Sequence, residues 1–198
     1  MLRRNVNTVV STSAGRLFDA VSAVLGIRRA STFEGEASIA LEMEARKYLA
    51  ANPEYEKAAL RQGISRNGEK AEKEEILFIE SDSLFRMRTD IIMKEMLRGR
   101  HEGKTAGQLA CDFHLYLADG ILAGAEYMRE RTGIGRAALS GGCFQNMLLL
   151  KLCRERLERA GFECLTHSLV PPNDGGIALG QALAGMWRLN RTIGPSFE

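Results

Sequence analysis

Ala137-Ala138-Leu139-Ser140-Gly141-Gly142-Cys143-Phe144-Gln145-Asn146-Met147-Leu148-Leu149-Leu150 is the stretch that decides the fold. A short apolar run ends in Ser-Gly-Gly and passes into an apolar-periodic segment, the pattern of a strand, a tight bend and a helix. Glycine in such a bend lets backbone N–H groups approach a ligand without side-chain interference. The helix start adds unpaired donors and a partial positive charge, which suits phosphate. A second stretch, Pro171-Pro172-Asn173-Asp174-Gly175-Gly176-Ile177-Ala178-Leu179-Gly180, repeats the device and sets Asp174 at or beside another helix start. Two such bends point to a nucleotide site.

Helical and extended patterns alternate outward from this segment. Ser13 opens a helix whose Leu17, Phe18, Val21, Val24 and Leu25 share a face, and Gly26 stops it. A second helix is expected from Glu36 to Ala51, where Pro53 bars its continuation. Asn67-Gly68 is a tight-turn signal ahead of the charged run Glu69 to Glu75, and Ile76-Leu77-Phe78-Ile79 reads as a strand. Residues 63–82 are therefore expected to form a small hairpin insertion. Helices are expected again from Ser83 to Arg98, from Thr105 to Arg131 (weakened at Gly107 and Gly120), from Cys143 to Ala160 and from Asp174 to Asn190. Phe162 to His167 reads as a strand, and the tail through Pro195 as loose. The alternation predicts a helix-rich α/β fold, with about four strands in a mixed sheet flanked by helices. Residues 1–198 read as a single domain or a fragment of one.

With 198 residues, 45% of them hydrophobic and 26% charged, the chain can build one sizeable core or two small ones. A formal net charge of +2 is too small to argue for nucleic acid or an anionic membrane as partner. No apolar run approaches the length of a membrane span. The N-terminus lacks the apolar core of a signal peptide, so a cytoplasmic location is expected. Cys111, Cys143, Cys153 and Cys164 contain no Cys-x-x-Cys pair and read as buried, reduced thiols. His101, His114 and His167 have no metal-ligand spacing and read as structural or surface groups. No Ser/His/Asp triad can be assembled from spacing.

Three positions could carry chemistry. Ser140-Gly141-Gly142, with Asn146 one turn into the following helix, reads as a phosphate cradle with a polar clamp, or as a plain strand-to-helix turn with a surface asparagine. Asp174 is either a helix cap or a carboxylate for a hard cation or a nucleotide. Asp19 can accept from ribose hydroxyls or pair with Arg16, while Ser13 most simply caps its helix.

Four segments occur in a specific order: Ser11-Thr12-Ser13-Ala14-Gly15-Arg16-Leu17-Phe18-Asp19-Ala20, Phe33-Glu34-Gly35-Glu36-Ala37, Leu139 to Asn146, and Val170 to Gln181. Together they resemble the C-terminal end of the hydrogenase maturation carbamoyltransferases (HypF type). That resemblance implies the second half of a domain with the actin-like ATPase (RNase H-like) fold, shared with tRNA threonylcarbamoyl-transfer (TsaD type) proteins. It implies that Asp19 contacts the nucleotide ribose, with Ser13 and Gly35 on the same nucleotide-binding side. Ser140, Gly141, Gly142 and Asn146 would hold the nucleotide and its phosphates, and Asp174 would be a ligand of a divalent metal (iron, zinc or magnesium). The implied reaction forms carbamoyl-adenylate from carbamoyl phosphate and ATP. The carbamoyl group then passes to the C-terminal cysteine of a hydrogenase maturation acceptor (HypE type), on the way to the cyanide ligand of a nickel–iron hydrogenase. The family's His-x-x-x-His metal pair belongs to the first half of the domain and has no counterpart here. The chain thus reads as a fragment or split subunit, inactive without its missing N-terminal half. A tRNA threonylcarbamoyl transferase-like protein is the nearest rival. A non-catalytic module docking through the Glu69–Asp82 hairpin and the long helices is another.

Overall fold

A helix that is apolar around most of its circumference has to be surrounded, and residues 106–132 carry such a pattern. The computed structural model describes Val6, Thr8, Val9 and residues 11–62, 65–66, 69–70, 77–81 and 84–192. Among these the order is α1 (Ala14–Val24), α2 (Glu36–Ala51), α3 (Pro53–Gln62), β1 (Ser65–Arg66), β2 (Glu69–Lys70), β3 (Leu77–Ser81), β4 (Leu84–Met87), α4 (Thr89–His101), α5 (Ala106–Thr132), β5 (Arg136–Leu139), α6 (Met147–Arg159), β6 (Glu163–Thr166) and α7 (Ile177–Thr192). Turns of 3₁₀ helix at Gly142–Gln145 and Asp174–Gly176 precede α6 and α7.

Helix α5 is the pillar. Thr105 caps it, its hydroxyl accepting from the Gln108 amide, and Gly133 ends it in the left-handed conformation. Leu109, Ala110, Cys111, Phe113, Leu115, Leu117 and Ala118 along it are buried. They pack against Leu41, Ala45 and Leu49 of α2 and against Leu148, Leu149, Leu152, Cys153 and Leu157 of α6 in one continuous core. Gly107 lets α2 approach. A Cβ there would lie 3.0 Å from the Tyr48 Cβ and 3.1 Å from the Glu44 carbonyl oxygen.

Strands β5 and β6 pair in parallel, Arg136 opposite Glu163 through Leu139 opposite Thr166, with α6 as the crossover that parallel pairing requires. Ala137 and Leu139 face inward, while Arg136 and Ala138 are exposed.

Several expectations need correction. The strands do not form a mixed sheet: among the described residues they make one parallel pair and two antiparallel hairpins, β1–β2 and β3–β4. Helix α2 does end at Ala51, ahead of Pro53, but Pro53 also starts α3, because proline's fixed φ and missing N–H suit a first helical position. Tyr55 then ties α3 to the pillar by donating its hydroxyl to Asp112, and its ring stands edge-on to Tyr48 at 5.2 Å. The helix expected from Ser83 instead begins at Thr89, since Leu84–Met87 pairs with β3. The Asn67-Gly68 turn, residues 71–75 of the charged run, Ile76 of the expected strand and the tail beyond Thr192 lie outside the described residues.

Gly107→Ala should lower the free energy of unfolding by about 1 kcal/mol in denaturant titration. The methyl gains helix propensity but meets a backbone carbonyl that has no rotamer in which to yield.

Candidate functional site

Parallel strands in register deliver their next residues side by side at the carboxyl end of the sheet, where open α/β sheets take their ligands. Here those residues are Ser140 and His167, both exposed, with the Ser140 Oγ 2.8 Å from the His167 Nε2. Gly141 turns the chain with φ of 102°, a conformation open to glycine. Its N–H donates to the Pro172 carbonyl at 2.8 Å, so the two glycine bends are joined directly. The Gly142 and Cys143 amides, first in the 3₁₀ turn, have no backbone partner among the described residues. A Cβ built at Gly142 meets nothing within 4 Å. Neither φ nor packing among the described residues demands glycine there, and the missing side chain leaves an open surface over two amide donors.

Beneath the bend lies a buried polar chain. His114 on α5 is sealed off completely. Its Nδ1 is 2.7 Å from the Ala110 carbonyl, which can only accept, so Nδ1 carries the proton. The Nε2 therefore accepts from the Asn146 side-chain amide at 2.8 Å. The Asn146 Oδ1 takes the Leu149 N–H at 2.8 Å and caps α6. The Phe18 ring of α1 packs edge-on against His114, 5.7 Å between centroids. Asn146 is thus not one turn into a helix, as expected from sequence, but at its cap. Its amide is engaged inward, because the 3₁₀ turn delays the start of α6 to Met147. Burial lowers the His114 pKa to about 4.

The other expected positions are more dispersed. Asp174 is exposed and opens its 3₁₀ turn, but the cap is Asn173, whose Oδ1 accepts the Gly175 N–H at 3.1 Å. Gly176 is fixed by its own loop, since a Cβ there would lie 2.7 Å from the Pro171 carbonyl oxygen. Ser13 caps α1, accepting from the Arg16 N–H at 3.4 Å. Asp19 pairs with Arg16 at 2.9 Å. Gly35 precedes α2 in the left-handed conformation. The loop before it is pinned by Glu36, whose carboxylate accepts the Thr32 amide at 2.6 Å and lies 3.3 Å from the Arg28 guanidinium. The Thr32 amide holds the Glu36 pKa below the usual carboxylate range.

No group of three His, Cys, Asp or Glu side chains among the described residues could hold a metal ion. Asp174 by itself does not make a metal centre. Cys143, beside the bend, has its thiol pKa pushed up by burial, the opposite of what a nucleophile needs. An open apolar groove of about 350 Å³ runs between α5 and β5, but only Thr132 and Arg136 bring polar side chains to it. It lacks the convergent polar groups of a reaction site. No helix of the described residues is long and apolar enough to cross a membrane.

Residues 1–181 match the family model described as "Carbamoyltransferase, Kae1-like Domain, second subdomain". The chain is 31% identical over 185 residues to the probable carbamoyltransferase HypF of Methanocaldococcus jannaschii, covering 92% of this chain and 21% of that protein. It is 33% identical over 175 residues to the carbamoyltransferase HypF of Synechocystis sp., covering 88% and 19%. It thus spans about a fifth of the length of these curated relatives. Among solved structures, a full-length HypF in its phosphate- and nucleotide-bound form superposes with a TM-score of 0.74 at 30% identity, covering 99% of this chain and 23% of the other. The HypF of T. kodakarensis gives 0.70 at 27% identity, with 94% and 21% covered.

The buried imidazole makes stability depend on pH. Unfolded, His114 takes a proton near pH 6.5; folded, it refuses one until about pH 4. This contribution is complete above pH 6.5 and is lost as pH falls toward 4, on the order of 3 kcal/mol in all. Over that window the stability-versus-pH slope of His114→Gln should be shallower than wild type by about one proton. Asn146→Ala should cost about 2–4 kcal/mol in denaturant titration, from the lost cap and an unpaired imidazole nitrogen.

Proposed function

The chain belongs to the second-subdomain family of the carbamoyltransferase Kae1-like domain, and from that premise we propose that it forms the nucleotide-binding half of a carbamoyl-transfer site. The observation that carries this reading is the Gly141–Pro172 hydrogen bond, which joins two glycine bends at one end of the parallel sheet beside the open surface at Gly142. A similar solved structure, full-length HypF, is in a phosphate- and nucleotide-bound form, which supports nucleotide as the kind of ligand.

In this reading the chain is half of an actin-like ATPase domain. The Gly142 and Cys143 amides and the Ser140 hydroxyl meet the nucleotide phosphates, with the turn at Gly141 shaping the bend. Asn146 contributes from below by holding the start of α6. Ser13, Asp19 and Gly35 lie on the ribose side, where Asp19 exchanges its Arg16 partner for ribose hydroxyls. Asp174 lends one carboxylate to a divalent metal whose other ligands come from elsewhere; the metal would supply charge neutralisation at the phosphates. The reaction served is formation of carbamoyl-adenylate from carbamoyl phosphate and ATP. The carbamoyl group then goes to the C-terminal cysteine thiolate of a partner in nickel–iron hydrogenase maturation. Donors fixed in place and aimed at the phosphates do this work, without a protein nucleophile.

In this reading the site is completed by the rest of the domain. Leu179, Leu183, Met186 and Trp187 of α7 are each at least half exposed, and a helix with that much wet apolar surface calls for cover. We take the cover to be the domain's other half, so the chain alone is inactive.

ATP titrated against the chain alone should bind weakly, and more tightly after mixing with a separately expressed first half of the domain. Gly142→Val should weaken binding about tenfold or more at an unchanged thermal midpoint, since it obstructs the bend without touching the core. No response in either preparation would refute the nucleotide reading and leave a docking module. Asp174→Asn should keep stability within about 0.5 kcal/mol while removing only the part of ATP binding that a divalent cation adds, as read by calorimetry with and without the cation.

A further inference from the structure

Sequence spacing gave no reason to connect His167 with Ser140, which lies 27 positions away. The parallel register connects them. Leu139 and Thr166 are opposed in the ladder, so the two following residues leave the sheet together and meet through the Ser140 Oγ and the His167 Nε2 at 2.8 Å. Both side chains are exposed, at the lip of the bend and not in the core.

The donor inventory of the bend gives this contact a direction. Gly141 has already given its N–H to Pro172, which leaves the Gly142 and Cys143 amides and one hydroxyl proton on Ser140. Were that proton given to a neutral His167 Nε2, the serine would turn lone pairs toward an incoming phosphoryl oxygen and repel it. With Nε2–H donating instead, the serine oxygen is satisfied as acceptor and its own proton is free to point at the anion.

We propose that His167 is a positioning residue of the phosphate site: its Nε2–H donates to the Ser140 Oγ and turns the serine hydroxyl outward onto a phosphoryl oxygen. The proposal rests on the nucleotide reading above and adds to it the residue that orients one of the three donors. His114 and His167 then hold opposite tautomers. The buried ring carries its proton on Nδ1, fixed by the Ala110 carbonyl, and the exposed ring carries one on Nε2.

The test uses the full isotope-labelled chain. Long-range proton–nitrogen spectra of the ligand-free protein should show His167 protonated on Nε2 and His114 on Nδ1. ATP and inorganic pyrophosphate are then titrated while the Gly142 and Cys143 amides are followed, with adenosine as a phosphate-free control. His167→Phe and Ser140→Ala should each weaken ATP and pyrophosphate binding about tenfold, with no further loss in the double variant. His167→Gln, whose amide nitrogen sits near the position of Nε2, should restore binding to within about twofold. Adenosine binding should be unaffected throughout. An Nδ1–H tautomer at His167, wild-type affinity in His167→Phe, or an equal loss for adenosine would overturn the proposal alone. Absence of any amide response to ATP, both in the wild-type chain alone and in its mixture with the first half of the domain, would overturn the nucleotide reading, and this proposal with it.

Discussion

A neutral imidazole shut away from water must find one acceptor and one donor, and His114 finds them in the Ala110 carbonyl and the Asn146 amide. Apolar packing has no direction and would let α6 slide along α5 by a fraction of a turn at little cost. The hydrogen-bonded chain does not allow this, because Asn146 also caps α6 through the Leu149 N–H. The place where α6 begins is therefore set against a fixed atom of the pillar. At the far end of the same helix Arg129 does a similar service. It donates to the Ala160 carbonyl at 2.7 Å and lies over the Phe162 ring at 4.0 Å. Helix α6, which follows the glycine bend, is thus held at both ends by polar groups of α5.

The two Gly-Gly steps look alike in sequence and do different work. Gly176 is glycine because the Pro171 carbonyl occupies the place of a side chain, so the second bend is tight for reasons internal to its loop. Gly142 faces open space, with nothing among the described residues within 4 Å of where its side chain would start. One bend is a hinge pin and the other a seat. Joined through Gly141 and Pro172, the pin keeps the seat in position.

Much of this was legible in the sequence where the determinants are local. The long α5 pattern starting near Thr105, the start of α1 at Ser13 and the strand–bend–helix order around Ser140 all follow from neighbours a few positions apart. The misreadings have physical causes. Leu84–Met87 is a short apolar run whose state is decided by its partner across the hairpin, not by its own periodicity. Pro53 bars α2 as expected, but the helix it starts is hidden, because a stop and a start look alike when one helix follows another directly. Asn146 was placed inside a helix because nothing local announces a 3₁₀ turn. The Ser140–His167 and His114–Asn146 contacts join residues 27 and 32 positions apart, and only tertiary geometry makes them.

Trp187 is the sole tryptophan of the chain, and it stands 59% exposed on α7. Intrinsic fluorescence will therefore report on that terminal helix and hardly at all on the core around α5. Emission from the isolated chain should already be red-shifted, as in an unfolded protein, even while the pillar is intact. A blue shift would signal something settling over α7, which makes the native indole an optical gauge of docking without any added label.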